Sequence, residues 1–305
     1  MDLQQSQLYQ QYIAALGWSV ETIDGSALFY RSIPFVGTIA KIQRPISLPY
    51  LPKLIPLLRS HHVKSLSVEP RSDENPEQFS FYIKSLSKFF PIISSPFLPT
   101  KTIFIDVSKS EKDMFSTFTS AKRRAVRRAE KNGITITSSN DITDLTGIKN
   151  KSAGMFGGIT TYGIDKLWNI FYPKKKAHIL LAKKQNGSVV AGVLLLLWEK
   201  RCHYWIAGAT KEGKKLFAPT LLVWEALQFA HKQKCQDFDF VGVWDERTPK
   251  QYTAWKGFTK FKEGFGGITL YYPISTLHKA IDIHKTHSAS QGQRENRSCS
   301  FLLPH

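Results

Sequence analysis

The 305-residue sequence contains few cysteines, few acidic residues and no long apolar run. Its three cysteines, Cys202, Cys235 and Cys299, lie far apart without a CxxC pair, which excludes a disulfide framework and a thiolate zinc site. The longest apolar run, 189–198, is too short for a membrane-spanning helix, which needs ~20 residues. The first residues lack the basic start and apolar core of a signal peptide. These absences lead us to expect a cytoplasmic protein.

Signatures of several enzyme classes are also missing. The nine histidines show no H-E-x-x-H spacing, and the chain has neither a G-x-S-x-G motif nor a P-loop, so we expect no metal. Basic residues outnumber acidic ones by 42 to 24, which gives a net charge of +18. Such an excess favours polyanionic partners, for example nucleic acid, nucleotides or an anionic membrane surface.

Hydrophobic patterning predicts the same order of elements twice. In each half, three strand-like segments are followed by a helix and a further strand, a β-β-β-α-β order. We therefore predict the α/β (α+β) class with two related domains, 1–137 and 138–273, each a mixed sheet flanked by helices. The remainder, 274–305, is rich in polar residues and is predicted to be a flexible tail.

Two local signals are strong. Ser110 and Asp113 form a capping pattern, apolar residues recur at helical spacing over 114–129, and Asn132-Gly133 predicts the end of that helix. Asn186-Gly187 predicts a tight hairpin between two strands.

The β-β-β-α-β order resembles that of GNAT acyltransferases. These enzymes hold the pyrophosphate of coenzyme A on a glycine-rich turn before the helix. The corresponding segment here, 208–219, has its glycines at other spacings, and Pro219 removes an amide donor. The scaffold signal is therefore present while the coenzyme signal is impaired, and we expect no cofactor.

Three segments carry motifs of one known family. Residues 122–133 read KRRAVRRAEKNG, residues 218–226 read APTLLVWEA with DFDFVG following at 237–242, and residues 261–267 read FKEGFGG. In order and spacing they resemble the K-x-R-x-x-I-R-K-A-E-K-x-G block, the small-P-x-x-L-x-W-E-A helix with Y-D-F-x-G, and the F-K-x-x-F-G-G signature. These motifs are typical of the Fem (FemABX) family of peptidoglycan interpeptide-bridge aminoacyltransferases.

The resemblance implies two GNAT-like domains with a substrate groove between them. It also implies transfer of an amino acid from aminoacyl-tRNA to the stem-peptide amine of a lipid-linked or UDP-linked muropeptide precursor. Such a transfer requires alignment of an amine with an activated ester and stabilisation of an oxyanion, without a nucleophile, metal or cofactor. Both substrates are anionic, so the net charge agrees with this reaction. The charge is also compatible with peripheral contact at the inner face of the membrane.

Lys262 is the candidate for oxyanion stabilisation. It lies between Phe261 and Phe265, whose rings would partly desolvate its ammonium, in a glycine-rich segment predicted to form a turn before a strand. Phe261 is also a candidate for substrate contact. Asp239, on a strand predicted over 237–241, is the candidate for orienting or deprotonating the attacking amine, and pairing with a basic neighbour is the alternative.

The acceptor side is placed by the resemblance alone. The family uses a lysine of an early K/R-x-x-R-G-P region, an acidic residue on the following strand and tyrosines of the second domain. The residues at or near those places are Lys41, Arg44, Glu69, Tyr162 and Tyr204. Two features depart from the family: Pro45 directly follows Arg44, and 158–163 reads GITTYG without the usual arginine. Burial in a core is the alternative for each tyrosine.

The predicted basic helix carries six cations on the side away from its apolar stripe: Lys122, Arg123, Arg124, Arg127, Arg128 and Lys131. Like charges four residues apart destabilise a helix unless an anion screens them. We therefore expect this face to bind the tRNA backbone, and a solvated helix face is the alternative. Two other functions remain open: an acyl-CoA-dependent N-acyltransferase and a non-catalytic nucleic-acid-binding protein.

Overall fold

The computed structural model describes residues 1–153, 161–249, 251 and 253–274, and the chain divides into two units. The first unit is built mainly from Met1–Thr100, with later segments around Asp245 and Tyr272. The second is built from Lys101–Trp244 and most of residues 253–270. The predicted tail lies outside the described residues apart from Ile274. Residues 158–160, part of the segment 158–163 that departs from the family motif, also lie outside them.

The first unit contains a four-stranded sheet. Its elements are α1 (Gln7–Ala15), β1 (Ser19–Ile23), β2 (Ser26–Ile33), β3 (Gly37–Gln43), α2 (Leu51–Ser60), β4 (Val63–Glu69) and α3 (Pro76–Leu86). The strand order is β1-β2-β3-β4, antiparallel except for the β3–β4 pair, which is parallel because α2 forms the crossover between them. Apolar side chains of the sheet and of α2 and α3 form the core, among them Leu28, Ile42, Leu54 and Phe79.

The second unit contains a seven-stranded sheet of order β11-β5-β10-β9-β8-β7-β6. Its first elements are β5 (Lys101–Asp106), α4 (Glu111–Ser116), α5 (Ser120–Lys131), β6 (Thr135–Ser139), α6 (Thr143–Ala153) and α7 (Ile164–Phe171). They are followed by β7 (Ala177–Lys183), β8 (Val189–Trp198), β9 (Arg201–Ala209), α8 (Lys211–Lys215), α9 (Ala218–Lys232), β10 (Asp237–Asp239), α10 (Lys256–Glu263) and β11 (Ile268–Tyr271). The β9–β10 pair is parallel, and α9 connects its two strands.

Both units have the predicted β-β-β-α-β order, as β1-β2-β3-α2-β4 and as β7-β8-β9-α9-β10. The predicted fold class, two mixed sheets flanked by helices, is therefore confirmed. The division between units falls after Thr100, whereas the sequence prediction places it after residue 137. The reason is that β5 pairs with β10 in the second sheet. The strand β5 and the basic helix α5 that follows it therefore belong to the second unit.

The helix predicted from Ser110 onward is two helices, α4 and α5, with a break at residues 117–119. Ser110 caps α4 as predicted, since its hydroxyl accepts from Asp113 N–H at 3.2 Å. Thr119 caps α5, and its own N–H donates to Gly264 O at 2.9 Å. The predicted hairpin at Asn186-Gly187 is confirmed between β7 and β8, with Gly187 at a φ of +80°. No helix in the described part of the chain is long and apolar enough to cross a bilayer.

Candidate active site

The chain leaves the second sheet irregularly after β10. Phe240 N–H donates to Ile103 O at 3.1 Å, and the next bond to the same strand runs from Val243 N–H to Lys101 O at 2.9 Å. One residue more than a regular ladder allows therefore lies between these bonds, as in a β-bulge. Val241 has a φ of +64°, which is strained for a β-branched residue. The strand predicted over 237–241 ends at Asp239 for this reason.

Asp239 holds this bulge. One oxygen of its buried carboxylate accepts from Thr102 Oγ1 at 2.6 Å and from Val241 N–H at 2.7 Å, and the other lies 3.4 Å from His203 Nδ1. Burial raises the pKa of Asp239, but the hydrogen bond and charge of His203, with the other donors, outweigh this effect and lower the pKa below its usual value. The carboxylate thus stays ionised and fixes the backbone at Val241.

Lys262 is anchored to the carbonyl groups of the bulge. It lies on the last turn of α10, and its Nζ donates to Phe240 O at 2.9 Å and to Gly242 O at 2.6 Å. Burial lowers the pKa of Lys262 to about 7, while the charge of Asp239 opposes this shift and that of Lys149 adds to it. The predicted turn is a helix here, and its lysine is a partly buried amine rather than a solvated one.

Lys149 was not singled out by sequence reasoning. It lies on α6, and its Nζ donates to Ala207 O of β9 at 3.3 Å. Burial lowers the pKa of Lys149, and its charge in turn lowers that of Lys262. The only sequence signal is a lysine within a polar helical stretch, which many solvated lysines share.

Two of the predicted site residues, Lys122 and Phe261, contact each other. The Nζ of Lys122 lies 3.6 Å from the ring centroid of Phe261 and 4.9 Å from that of Phe265. Burial lowers the pKa of Lys122 to about 8. A side chain at position 264 would displace Lys122, because a Cβ there would lie 2.6 Å from Lys122 Cε. Lys122 therefore packs α5 against α10.

The other cations of α5 divide into two groups. Arg123 is partly buried and donates to Ser116 O at 3.1 Å and also to Phe118 O, so it bridges the break between α4 and α5. Four cations are exposed on the helix surface: Arg124, Arg127, Arg128 and Lys131. These four form what we call the basic face.

The two candidate tyrosines, Tyr204 and Tyr162, have surroundings unlike those of Lys262. Tyr204 on β9 is buried in the core, where its ring packs 6.0 Å from Phe238 and 5.7 Å from Phe240, and burial raises its pKa. Tyr162 is exposed and precedes Gly163, the N-cap residue of α7, which has a φ of +75°. Tyr204 thus packs behind the bulge as a core residue.

In the first unit, Lys41 lies in an aromatic cage. Its buried Nζ is 4.4 Å from the ring of Trp18, 5.4 Å from that of Phe97 and 5.7 Å from that of Phe29. Burial lowers the pKa of Lys41 to about 8, against the opposing charge of Glu69. Because this pKa lies close to neutral pH, a small change in the surroundings of the amine can change its protonation state.

Glu69 ends β4 within a buried polar network. Its carboxylate accepts from Gln43 Nε2 at 2.8 Å and from Leu98 N–H at 2.5 Å, and Tyr9 donates to Gln43 Oε1 at 3.3 Å. Burial raises the pKa of Glu69, although Arg44 and these donors oppose the shift. Sequence reasoning found Glu69 but not Gln43 or Tyr9, whose pairing depends on the sheet register.

The guanidinium of Arg44 is bound to other groups of the protein. Its guanidinium donates to Pro70 O at 2.5 Å and to Pro99 O at 2.8 Å, and its Cζ lies 3.3 Å from the ring centroid of Tyr272. Its backbone has a φ of +50°, and its N–H donates to Glu69 O at 2.7 Å. The side chain predicted to bind substrate therefore ties three segments of the first unit together.

Segment 208–219 corresponds to the pyrophosphate-binding turn of GNAT enzymes, and most of its backbone amides bond to other backbone or side-chain oxygens of the protein. Residues 211–215 form the short helix α8, whose Gly213 would place a Cβ 2.4 Å from Val190 O. The amides of residues 213, 214, 216, 217 and 220 all donate to oxygens of the same segment. Pro219 has no amide to offer, so few N–H groups of 208–219 are left to bind an anion.

Three solved structures share this fold over nearly the whole chain. A crystal structure of FemX matches with a TM-score of 0.67 at 15% identity, covering 92% of this chain and 94% of that one. The C-terminal domain of a putative lysylphosphatidylglycerol synthetase from Agrobacterium fabrum matches at 0.56 and 11% identity, covering 96% and 97%. L-PGS from Bacillus licheniformis matches at 0.53 and 14% identity, covering 92% of each chain. No curated protein matches the chain.

The family comparison concerns the part of the second unit that holds Lys262. The model of the FemAB family matches residues 173–275, a range that includes α9, the bulge and α10. Together with the fold, this match supports a transferase. Residues 173–275 match the FemAB family, and the resemblance indicated by the motifs is confirmed for this segment.

Proposed function

We propose that this protein transfers an amino acid from aminoacyl-tRNA to the stem-peptide amine of a peptidoglycan precursor. The observation that carries the proposal is the anchoring of Lys262. Two of the three N–H groups of its ammonium donate to Phe240 O and Gly242 O. The third N–H is left for the substrate. The FemAB family match and the FemX fold support the same reaction class.

The proposed reaction develops one negative charge that the protein must stabilise. The acceptor amine attacks the ester carbonyl carbon, the new C–N bond forms, the ester C–O bond breaks, and the amine proton passes to the leaving ribose oxygen. In the tetrahedral intermediate the former carbonyl oxygen is anionic. A lysine ammonium in a partly desolvated place stabilises this oxygen more than a solvated one does.

The donor is proposed from the structure of 208–219. Because the amides of this segment bind its own oxygens and Pro219 contributes none, a coenzyme A pyrophosphate would find few donors. The basic face of α5 offers four exposed cations to a nucleic acid backbone instead. Both observations favour a tRNA-borne donor over acyl-CoA.

The acceptor is proposed to contact the first unit near Lys41 and Glu69. Lys41 supplies a buried amine within aromatic rings, and Glu69 supplies a carboxyl at the end of the neighbouring parallel strand. Opposite charges close together at one sheet end suit a ligand that carries both a phosphate and an amine. Arg44, which is bound to backbone carbonyls, is proposed to position this region rather than to touch the precursor.

The experiment that tests the proposal is a product assay with a pool of charged tRNAs and a UDP-linked muropeptide, read by mass spectrometry. We expect a mass increment of one amino acid residue. Lys262→Met should lower the rate ~10²–10³-fold without weakening tRNA binding, as for removal of an oxyanion donor. Lys260→Met is the matched control, because Lys260 is an exposed lysine of the same helix. An acetyl increment from acetyl-CoA, or full activity of Lys262→Met, contradicts the proposal.

A further inference from the structure

The turn between β2 and β3 presents apolar side chains to solvent. Pro34, Phe35 and Val36, which we call the hairpin tip, are all exposed, and the Phe35 side chain is fully so. Val36 N–H donates to Ile33 O at 3.1 Å, which closes a four-residue turn with Pro34 second and Phe35 third. The tip projects from a strand pair that is regular up to Ile33 and Gly37.

Phe35 occupies a position that suits glycine. Its φ is +64°, and a positive φ at the third position of a turn that follows proline favours Gly or Asn. A phenylalanine there is strained in its backbone and gains no burial within the described protein. Folding of the hairpin therefore does not account for this residue.

The surroundings of the tip are basic. No Asp or Glu occurs between Asp24 and Glu69 in the sequence. Because Thr38 pairs with Val63 in the parallel register, the start of β4 lies beside the tip, and the stem of Lys64 crosses Gly37, where a Cβ would lie 2.6 Å from Lys64 Cγ. Arg59, on the last turn of α2, is a further exposed basic residue near this sheet end, whereas Arg31 donates to Leu16 O at 3.1 Å. The acidic Glu21 of β1 is paired with His61, 2.7 Å away, at the end of α2.

We propose that the hairpin tip inserts into an anionic lipid bilayer, with Phe35 and Val36 entering the interface and Lys64 and Arg59 contacting lipid phosphates. A short convex apolar tip surrounded by basic side chains has the composition of an interfacial anchor. A stable protein interface would bury about 800 Å² on each partner, which is more than a three-residue tip can offer. This contact is separate from the transfer reaction and does not depend on Lys262.

The test measures where the side chain of residue 35 resides. Phe35→Trp places a fluorophore at the tip, and Phe81→Trp places one at an exposed phenylalanine of α3 as the matched control. With vesicles containing phosphatidylglycerol, the Phe35→Trp emission should shift to the blue and be quenched by brominated lipid chains, and the control emission should do neither. Vesicles of phosphatidylcholine alone should bind at least tenfold more weakly, and added salt should weaken binding to the anionic vesicles.

A second variant removes the anchor without harming the turn. Phe35→Gly deletes the ring and relieves the positive φ, so its unfolding midpoint should not fall, while its sedimentation with anionic vesicles should drop about tenfold. Phe81→Ser should leave sedimentation unchanged. The proposal is overturned if Phe35→Gly binds vesicles like the parent. It is also overturned if Phe35→Gly changes the oligomeric state in analytical ultracentrifugation and leaves vesicle binding intact.

Discussion

The Nζ of Lys262 lies 2.6 Å from the carbonyl oxygen of Gly242, on the bulge that follows β10. This contact joins the end of a helix to a strained loop, and the loop in turn is held by Asp239 through Val241 N–H. The position of the ammonium is therefore set by a carboxylate that does not itself bond to it.

Once corrected for the fraction of neutral acceptor amine, the transfer rate should fall as pH rises through about 7, the pKa of Lys262. The ammonium form is the one that stabilises an oxyanion, and deprotonation removes its charge. Lys262→Arg stays charged at every accessible pH. Its rate should be lower but should not decline above pH ~7, apart from any loss at another group. Single-turnover rates between about pH 6 and pH 9 check this, and parallel profiles for the two proteins would argue against a charged role.

Asp239→Asn should move the decline in rate to lower pH. The charge of Asp239 raises the pKa of Lys262, so its loss should lower that pKa further. The amide oxygen of the variant can still accept from Thr102 and Val241. Asp239→Ala leaves both donors unpaired in the interior and should cost ~2–4 kcal/mol of unfolding free energy.

Urea unfolding and the pH profile separate these two effects of Asp239. Asp237→Asn is the control, since Asp237 lies on the same strand but pairs with Arg201 near the surface. An unchanged profile in Asp239→Asn would mean that the charge of Asp239 does not reach Lys262.

The basic face and Lys122 should respond differently to substitution. Each exposed cation of α5 that contacts phosphate should reduce the slope of log affinity against log salt by ~0.7–0.9 when changed to alanine, so Arg127→Ala and Arg128→Ala should weaken tRNA binding. Lys122→Met should leave the slope unchanged, because its amine faces Phe261. Filter binding at several salt concentrations measures the slopes. Equal slopes for all variants would favour a merely solvated helix face.

Arg44→Lys should destabilise the first unit by ~2–3 kcal/mol. Lysine cannot reproduce the two separate bonds to Pro70 O and Pro99 O together with the stacking on Tyr272. Arg71→Lys is the control, since Arg71 is partly exposed and its partners are Asp73 and Asp2. Its cost should stay below ~1 kcal/mol. Chemical unfolding measures both, and equal costs would mean that Arg44 is not a structural tie.

The order of strands and helices could be predicted because it depends on local patterns. Alternating apolar residues, the cap at Ser110 and the turn at Asn186-Gly187 act within a few residues of themselves. Lys262 could be singled out as a candidate because the FKEGFGG segment is distinctive as a sequence. Its helix was not predicted, since its glycines suggested a turn over the whole segment.

Features that depend on distant contacts could not be predicted. A valine normally favours a strand, and the bond from Val241 N–H to the buried Asp239 stabilises its positive φ. Arg44 resembles a ligand-binding arginine in sequence, but its partners come from residues 26 and 55 positions away. The boundary between units was misplaced for a similar reason, because nothing near β5 reveals that it pairs with β10.

The packing of Lys122 on Phe261 has a mechanical consequence for α5 and α10. Together with the bond from Thr119 N–H to Gly264 O, it leaves little freedom for the two helices to slide past each other. A force exerted by a bound polyanion on the arginines of α5 would reach the amine on α10 through these contacts. The rigid packing of α5 against α10 would then couple the binding of a large polyanion to the position of a single ammonium.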